Sequence, residues 1–310
     1  MANVGQFLRQ IVLEMGDYPA PGEVVHSWMQ SRYASVLERA PWAFLQKEDT
    51  INTVAEITAG TVTLTLGSAT VTESTSNANG WTSAVEGRYF RASGDTEFYQ
   101  ISTFADANPD TLTLERVYEG SNTTLAGYKI FQRFYSLASD VRDVLSMTIL
   151  NPVAPLERVS LAELNRAMMN RPESRETPLY WAPAGRDSSN IYRVEMYPIP
   201  TRARGVLYHY IQTTPSLSDA DTDILPQVDV RLLRSGVLAD YWAWRGATVD
   251  NEGALVMKGM FEAEFEKRMQ EMVIRESPSL YQGKMHMPSR FTRHRLSSKW
   301  ERRREIVDSE

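Results

Sequence analysis

"TVTLTLGSATVT", residues 61–72, decides how this chain is read. Val62, Leu64 and Leu66 alternate with Thr61, Thr63 and Thr65, a period of two made from apolar and β-branched residues, as in a strand with one buried face. The residues before it keep a different period. Val4, Phe7, Leu8, Ile11, Val12 and Met15 share one helical face. After the breaker "GDYPAPG", Val25, Trp28, Met29, Arg32, Tyr33, Val36 and Leu37 recur at three- and four-residue spacing up to Pro41, which predicts a second helix.

On the other side of the threonine-rich run, further strands are expected at 88–92, 97–103, 111–115 and 128–132, joined by the turn sequences "SGDTE", "DANPD" and "EGSNTT". Short strands with tight turns predict a small closed or nearly closed barrel at 56–135, because closure leaves no unpaired edge. Patterning is mixed in "SLASDVRDVLSM". Ser160 with Glu163 then forms a capping box ahead of the short helix "LAELNRAMM". "NIYRVEMYPIPTRARGVLYHYIQ" reads as two strands about a proline-containing turn, a hairpin of the core domain.

Pro226 and Asp229 open a long helix with Val230, Leu233, Val237, Tyr241 and Trp244 on one face up to Gly246. Asn251 and Glu252 start another, whose seam is Met257, Met260, Phe261, Phe265, Met269, Met272 and Val273, with Glu264 and Arg268 one turn apart on the polar side. The fold class is therefore α+β. A helical core built from both ends of the chain (1–55 and 136–275), with its hairpin, brackets an inserted small all-β barrel-like domain (56–135) and is followed by an extended C-terminal tail (276–310).

Charge is segregated along this order. The total is −6, but residues 275–310 hold nine Lys/Arg against five Asp/Glu, a local +4 that leaves the preceding 274 residues at −10. With no cysteine, disulfides, thiolate metal sites and thiol catalysis are excluded, which suits assembly in a reducing cytoplasm. No apolar run approaches the roughly 20 residues that span a bilayer, and "MANVGQFLRQIV" is too short and mixed for a signal peptide, so an unexported protein without membrane contact is expected.

Catalysis finds no frame. His26, His209, His286 and His294 lack metal-ligand spacing, and neither a GxSxG elbow, a Walker loop nor a strand-linked GxGxxG is present. Asp219, Asp221 and Asp223 in "SLSDADTDILP" lack the glycine and terminal glutamate of a calcium loop and read as a polar connector. The expectation is a non-enzyme with no catalytic residue, no cofactor and no metal.

The order of "APWAFLQKEDT" (40–50), the threonine-rich strand, "GRYFRASGDTEFYQI" (87–101), "TLTLERVYEG" (111–120), "YSLASDVRDVL" (135–145), "TPLYWAPAG" (177–185), "VEMYPIP" (194–200) and the final two helices resembles the head-to-tail adaptor, or connector, proteins of tailed bacteriophages over roughly residues 1–275. Similar proteins usually carry proline where Ala138 stands, so a looser turn is expected there. The resemblance implies a structural virion protein at the head-tail junction. It implies a homo-oligomeric ring of twelve subunits, docked beneath the portal protein and above a tail or nozzle protein. It further implies that genomic DNA passes through the centre of the ring without sequence-specific binding, as an acidic wall would allow.

Seven tryptophans and thirteen methionines exceed the needs of one small core and suggest shared surfaces between copies. Trp28, Trp242 and Trp244 lie on apolar helical stripes and read as core. Trp81 and Trp181, in loop-like sequence, are the candidate subunit or partner interface. In "MPSRFTRHRLSSKWERRREI" (287–306), Phe291, Leu296 and Trp300 stand among Arg293, Arg295, Arg302, Arg303 and Arg304, the pattern of a docking helix on a tether. In similar adaptors the C-terminal extension reaches the portal. A solvated end and a phosphate-binding arm are the other readings of this tail. For the whole chain, the alternatives are a tail-fibre or receptor-binding protein using 56–135 as its recognition face, against which the absence of long repeats counts, and, more weakly, a carboxylate-dependent virion enzyme.

Overall fold

The computed structural model describes residues 3–16, 19–74, 80–170, 174–175, 177–215, 217, 224–249 and 252–276. They fall into two compact units, one holding the chain before residue 45 and after 213, the other Leu45–Thr213.

The first unit opens with α1 (Val4–Glu14), capped by the Asn3 side chain, which accepts from the Gln6 N–H at 2.9 Å, and buries Val4, Phe7 and Ile11. Helix α2 (Gly22–Glu38) buries Val25, Met29, Tyr33, Val36 and Leu37, the stripe expected from its spacing. Trp42 seals its end: the indole N–H donates at 2.8 Å to the Val36 carbonyl, which takes a longer bond of 3.4 Å from the Arg39 N–H.

The chain then enters the second unit through β1 (Gln46–Asn52) and runs into the inserted sheet. Its strands are β2 (Val62–Leu64), β3 (Thr70–Glu73), β4 (Tyr89–Ala92), β5 (Tyr99–Ala105), β6 (Thr111–Leu114), β7 (Thr123–Ala126) and β8 (Tyr128–Phe131). The strand order is β7-β2-β3-β6-β5-β4-β8. One uninterrupted stretch, 123–131, thus supplies both outer strands, and only a sheet curled into a barrel lets two consecutive strands do so. The stretch turns at Gly127, whose carbonyl accepts from the Ser93 N–H at 2.8 Å; a Cβ there would stand 3.0 Å from the Ser93 hydroxyl. The barrel encloses its own core, with Val62, Val71, Phe90, Leu112 and Ile130 fully buried. Entrance and exit form a single rung, Ile57 and Ile130 exchanging backbone hydrogen bonds of 2.8 and 2.9 Å.

The main sheet follows, from β9 (Phe134–Ser136), β10 (Val141–Leu150) and β11 (Val153–Arg158), then helix α3 (Leu161–Asn170), the short β12 (Ser174–Arg175), β13 (Tyr180–Arg186), β14 (Tyr192–Tyr197), β15 (Ile199–Pro200) and β16 (Gly205–Gln212). Its order is β1-β16-β10-β11-β13-β14-β9, antiparallel except where β11 meets β13, while β12 and β15 pair separately. The capping box forms as expected: Ser160 Oγ accepts from the Glu163 N–H at 3.2 Å and Glu163 accepts from the Ser160 N–H at 3.0 Å.

Two expectations are corrected here. The strands of 190–212 are not a hairpin, because β14 pairs with β13 and β9 while β16 pairs with β1 and β10. Together with 136–213 they belong to the sheet unit rather than the helical core. The turn at Ala138 is also fastened: its N–H donates to the Tyr208 hydroxyl at 3.1 Å, and its carbonyl accepts from Val141 at 3.2 Å. Proline, lacking the N–H, offers no such bond.

The chain returns to the helical unit at Thr214, and the Asp229 carboxylate accepts from the Arg231 N–H at 2.8 Å and caps α4 (Val230–Val249); α5 (Glu252–Glu276) lies along it. Gly236 marks the closest approach, since a Cβ there would sit 2.9 Å from the Phe265 ring and 3.0 Å from Arg32 Cδ. Glu264 and Arg268 pair across one turn at 2.8 Å, as the spacing implied.

Candidate functional site

The residues singled out in the sequence have different fates. The tail set, Phe291, Arg293, Arg295, Leu296, Trp300, Arg302, Arg303 and Arg304, lies outside the described residues, as do Asp219, Asp221 and Asp223. Trp81 and Trp181 are corrected: both are core. Trp81 is 5% exposed, edge-on to Tyr128, and its indole N–H donates to the Tyr128 hydroxyl at 2.9 Å. Trp181 is 1% exposed on β13, paired in register with Met196 and covered by the Arg158 guanidinium at 5.3 Å from the ring. Pro178, Pro183 and Gly185 make its surroundings look like a loop, but β13 absorbs them through an irregular register between Pro183 and Arg186. The tryptophans expected to be core are the wetter ones. Trp28, Trp242 and Trp244 are half-buried, Trp28 against Trp244 at 6.3 Å and Trp242 under the Arg245 guanidinium at 5.1 Å.

Two ionic constellations were not expected from spacing. In the helical unit, Arg32 of α2 reaches Asp240 of α4 through two bonds of 2.7 and 2.8 Å and Glu262 of α5 through two of 2.9 and 3.0 Å. Its guanidinium also lies 4.9 Å from the Phe265 ring. The Asp240 hydrogen bond leads in raising the Arg32 pKa, against the opposing effect of burial, so one cation locks three helices at every accessible pH. The available signal was Arg32 itself, a charge on an otherwise apolar stripe.

In the sheet unit, Glu195 of β14 is fully buried and bonded to Arg133, which sits between β8 and β9 at the exit from the barrel. Arg133 also donates to Asn165 of α3 at 2.6 Å and lies 5.3 Å from the Phe98 ring and 4.9 Å from that of Phe134. Burial pushes the Glu195 carboxyl up, and the Arg133 hydrogen bond and charge oppose it. This pair bolts the barrel to the main sheet. Both carboxylate oxygens are engaged by the guanidinium, an arrangement suited to fixing orientation rather than to exchanging protons with a substrate.

Among the described residues no group of three or more His, Cys, Asp or Glu can hold a metal ion. His26 meets the Leu217 carbonyl at 3.1 Å in the helical unit, and His209 belongs to β16 of the sheet unit, 3.9 Å from Glu48. Two surface hollows, one lined by Arg91, Ser93, Asp95 and Lys129 and one by Glu264, Lys267, Arg268 and Glu271, pair no nucleophile with a base. The described residues also include no helix long and apolar enough to cross a membrane. What the molecule offers is surfaces.

Residues 52–288 match the sequence profile of the SU10 adaptor protein family, from the end of β1 through both long helices. The chain belongs to the SU10 adaptor protein family. The match leaves α1 and α2 outside it, so the first two helices stand on the structure alone. No curated protein matches the chain at a significant level. Membership makes the chain a phage structural adaptor and a component of the virion, a class defined by contact rather than turnover.

Proposed function

We propose that this SU10-family adaptor forms a ring at the head-tail junction, twelve copies by resemblance to related adaptors, joining the portal protein above to a tail or nozzle protein below. The genome passes through its centre. The observation that carries this reading is the placement of charge in a chain of this family: a body at −10 followed by a +4 segment that begins where α5 ends.

An arginine-rich segment bearing Phe291, Leu296 and Trp300 supplies what a partner pocket rewards, aromatic and aliphatic anchors ringed by guanidinium groups that pair bidentately with carboxylates. We place that partner on the portal. The acidic body suits the conduit, because a wall without a net excess of cations neither condenses on phosphates nor releases counterions when DNA slides past. The absence of cysteine fits assembly in the host cytoplasm.

The test is removal of 277–310, leaving α5 whole. The truncated protein is expected to keep the circular dichroism and melting temperature of the full chain and to lose co-sedimentation with the portal protein encoded by the same genome. Unimpaired co-sedimentation would overturn the docking role.

A further inference from the structure

Helix α5 is apolar on two sides. Its buried side is Ala254, Phe265, Met269 and Met272. On the other side, Leu255, Val256 and Met260 are 67%, 65% and 62% exposed, with Gly259 and Ala263, also exposed, between and beyond them. At 3.6 residues per turn these five fall within an arc of about 140°, opposite the buried side. A Cβ at Gly259 would meet nothing within 4 Å, so the centre of the stripe is open. A helix apolar on both sides is covered on both sides in its working state.

The same unit carries a second face of opposite relief. On α2, Ser27, Ser31 and Ser35 are exposed at four-residue spacing, in line and on the far side from Met29 and Tyr33. This face is flat and uncharged over a length of about 12 Å, and the α5 stripe, Leu255 to Ala263, runs about 12 Å as well. Charge agrees with shape. Exposed Glu38 lies one turn past the serines on α2, exposed Lys267 lies one turn past the α5 stripe, and neither has an ion pair among the described residues. Glu262 and Glu266, beside the C-terminal end of the stripe, are taken up by Arg32 and Arg39. Each face points away from the helix bundle that buries its opposite side, so one copy cannot close them on each other.

We infer that the exposed stripe of α5 on one copy packs against the serine face of α2 on the next. Knobs on one chain meet a flat strip of small side chains on its neighbour, with Lys267 facing Glu38. Such an interface is heterologous, each copy giving one face and receiving the other, and repetition of a heterologous contact makes a ring when the rotation closes. The inference rests on the ring proposed above and names the surfaces that would build it.

The cysteine-free chain allows a direct test. Full-length Ser31→Cys and Ala263→Cys variants are prepared separately, mixed with purified portal protein, and treated with a short bis-maleimide. A cross-linked dimer is expected in the mixture of the two variants and in neither alone. A dimer from Ala263→Cys alone would mean two-fold pairing of the stripes, and a cross-link only to portal would mean a different occupant; either overturns the inference. Assembly seen by native mass spectrometry without any cross-link overturns these faces but leaves the ring standing. Failure to assemble in any mixture removes the ring and the inference together.

Gly259→Arg separates folding from assembly. Loss of a helix-interior glycine is expected to hold or raise the melting temperature, while the bulky cation at the open centre reduces assembly at least tenfold. Normal assembly by this variant overturns the inference.

Discussion

The two units keep their aromatic and ionic groups in opposite ways. The sheet unit turns them inward: Trp81 and Trp181 are core, Glu195 is fully buried with its arginine, and the phenols of Tyr128, Tyr135 and Tyr210 end on internal partners. Its exposed apolar residues are scattered, Leu150 and Val153 at strand ends, Leu145 within β10 and Val117 in a loop. The helical unit holds its charges near the surface, with Asp240 and Glu262 of the Arg32 clamp 27% and 39% exposed, and shows solvent a half-buried tryptophan cluster and the α5 stripe. On the proposal above, the helical unit is the one completed by contact with a neighbouring copy.

Alkali is expected to divide them most sharply. Burial raises the phenol pKa of Tyr128 and Tyr135, and likewise of Tyr210, to about 12. Unfolded phenols ionise near 10, so this stabilisation is intact below about pH 10 and is lost as the pH rises through the folded value. Tyr33 of the helical unit shifts the same way, but among the described residues it is the only tyrosine there that does so. Between pH 10 and 12 the near-ultraviolet tyrosine signal should collapse before helical ellipticity at 222 nm. Simultaneous loss would erase the contrast.

The next test compares the two arginines. Glu195→Ala leaves Arg133 without its buried counter-charge and is expected to cost about 3–5 kcal/mol in urea unfolding of the sheet unit. Arg32→Ala leaves Asp240 and Glu262 facing each other in partial solvent, and about 2 kcal/mol is expected after discounting for exposure. A reversed order would show that the clamp, not the bolt, is the stiffer joint. The smallest effect is that of Ser160→Ala, which removes half of an exposed capping box and should cost about 1 kcal/mol, read as a shift in urea midpoint with m unchanged.

Much of this was legible in the residues because it is local. The α1 and α2 stripes, the capping box and the β insertion depend on spacings within a few positions and formed where expected, whereas the seam expected on α5 held only at Phe265, Met269 and Met272, with Met260 turned to solvent at 62% exposure. The misreadings involve distant partners or broken period. Strand β10 is the longest among the described residues, yet Val141, Val144, Met147 and Ile149 are buried at spacings of three, three and two, because register shifts after Val141 and Val144 break the alternation. Such spacing imitates a helix. The two strands of 190–212 look like a hairpin because they are adjacent in sequence, whereas their neighbours in the sheet come from 46–52 and 134–186. Glu195 left one clue, a carboxylate inside the apolar run of "VEMYPIP", but the arginine that neutralises it is 62 residues away. Of the site residues, the tail was visible as composition alone; Trp181 was misjudged because prolines beside a strand look like loop, and Trp81 because a residue outside any strand can still be buried by the barrel it borders.

The rung between Ile57 and Ile130 has a consequence for how such a chain diversifies. Because the barrel is entered and left at neighbouring points, it is a cassette. It can be excised, enlarged or exchanged at the gene level while the strands on either side keep their places, provided the replacement supplies rings to cover Arg133.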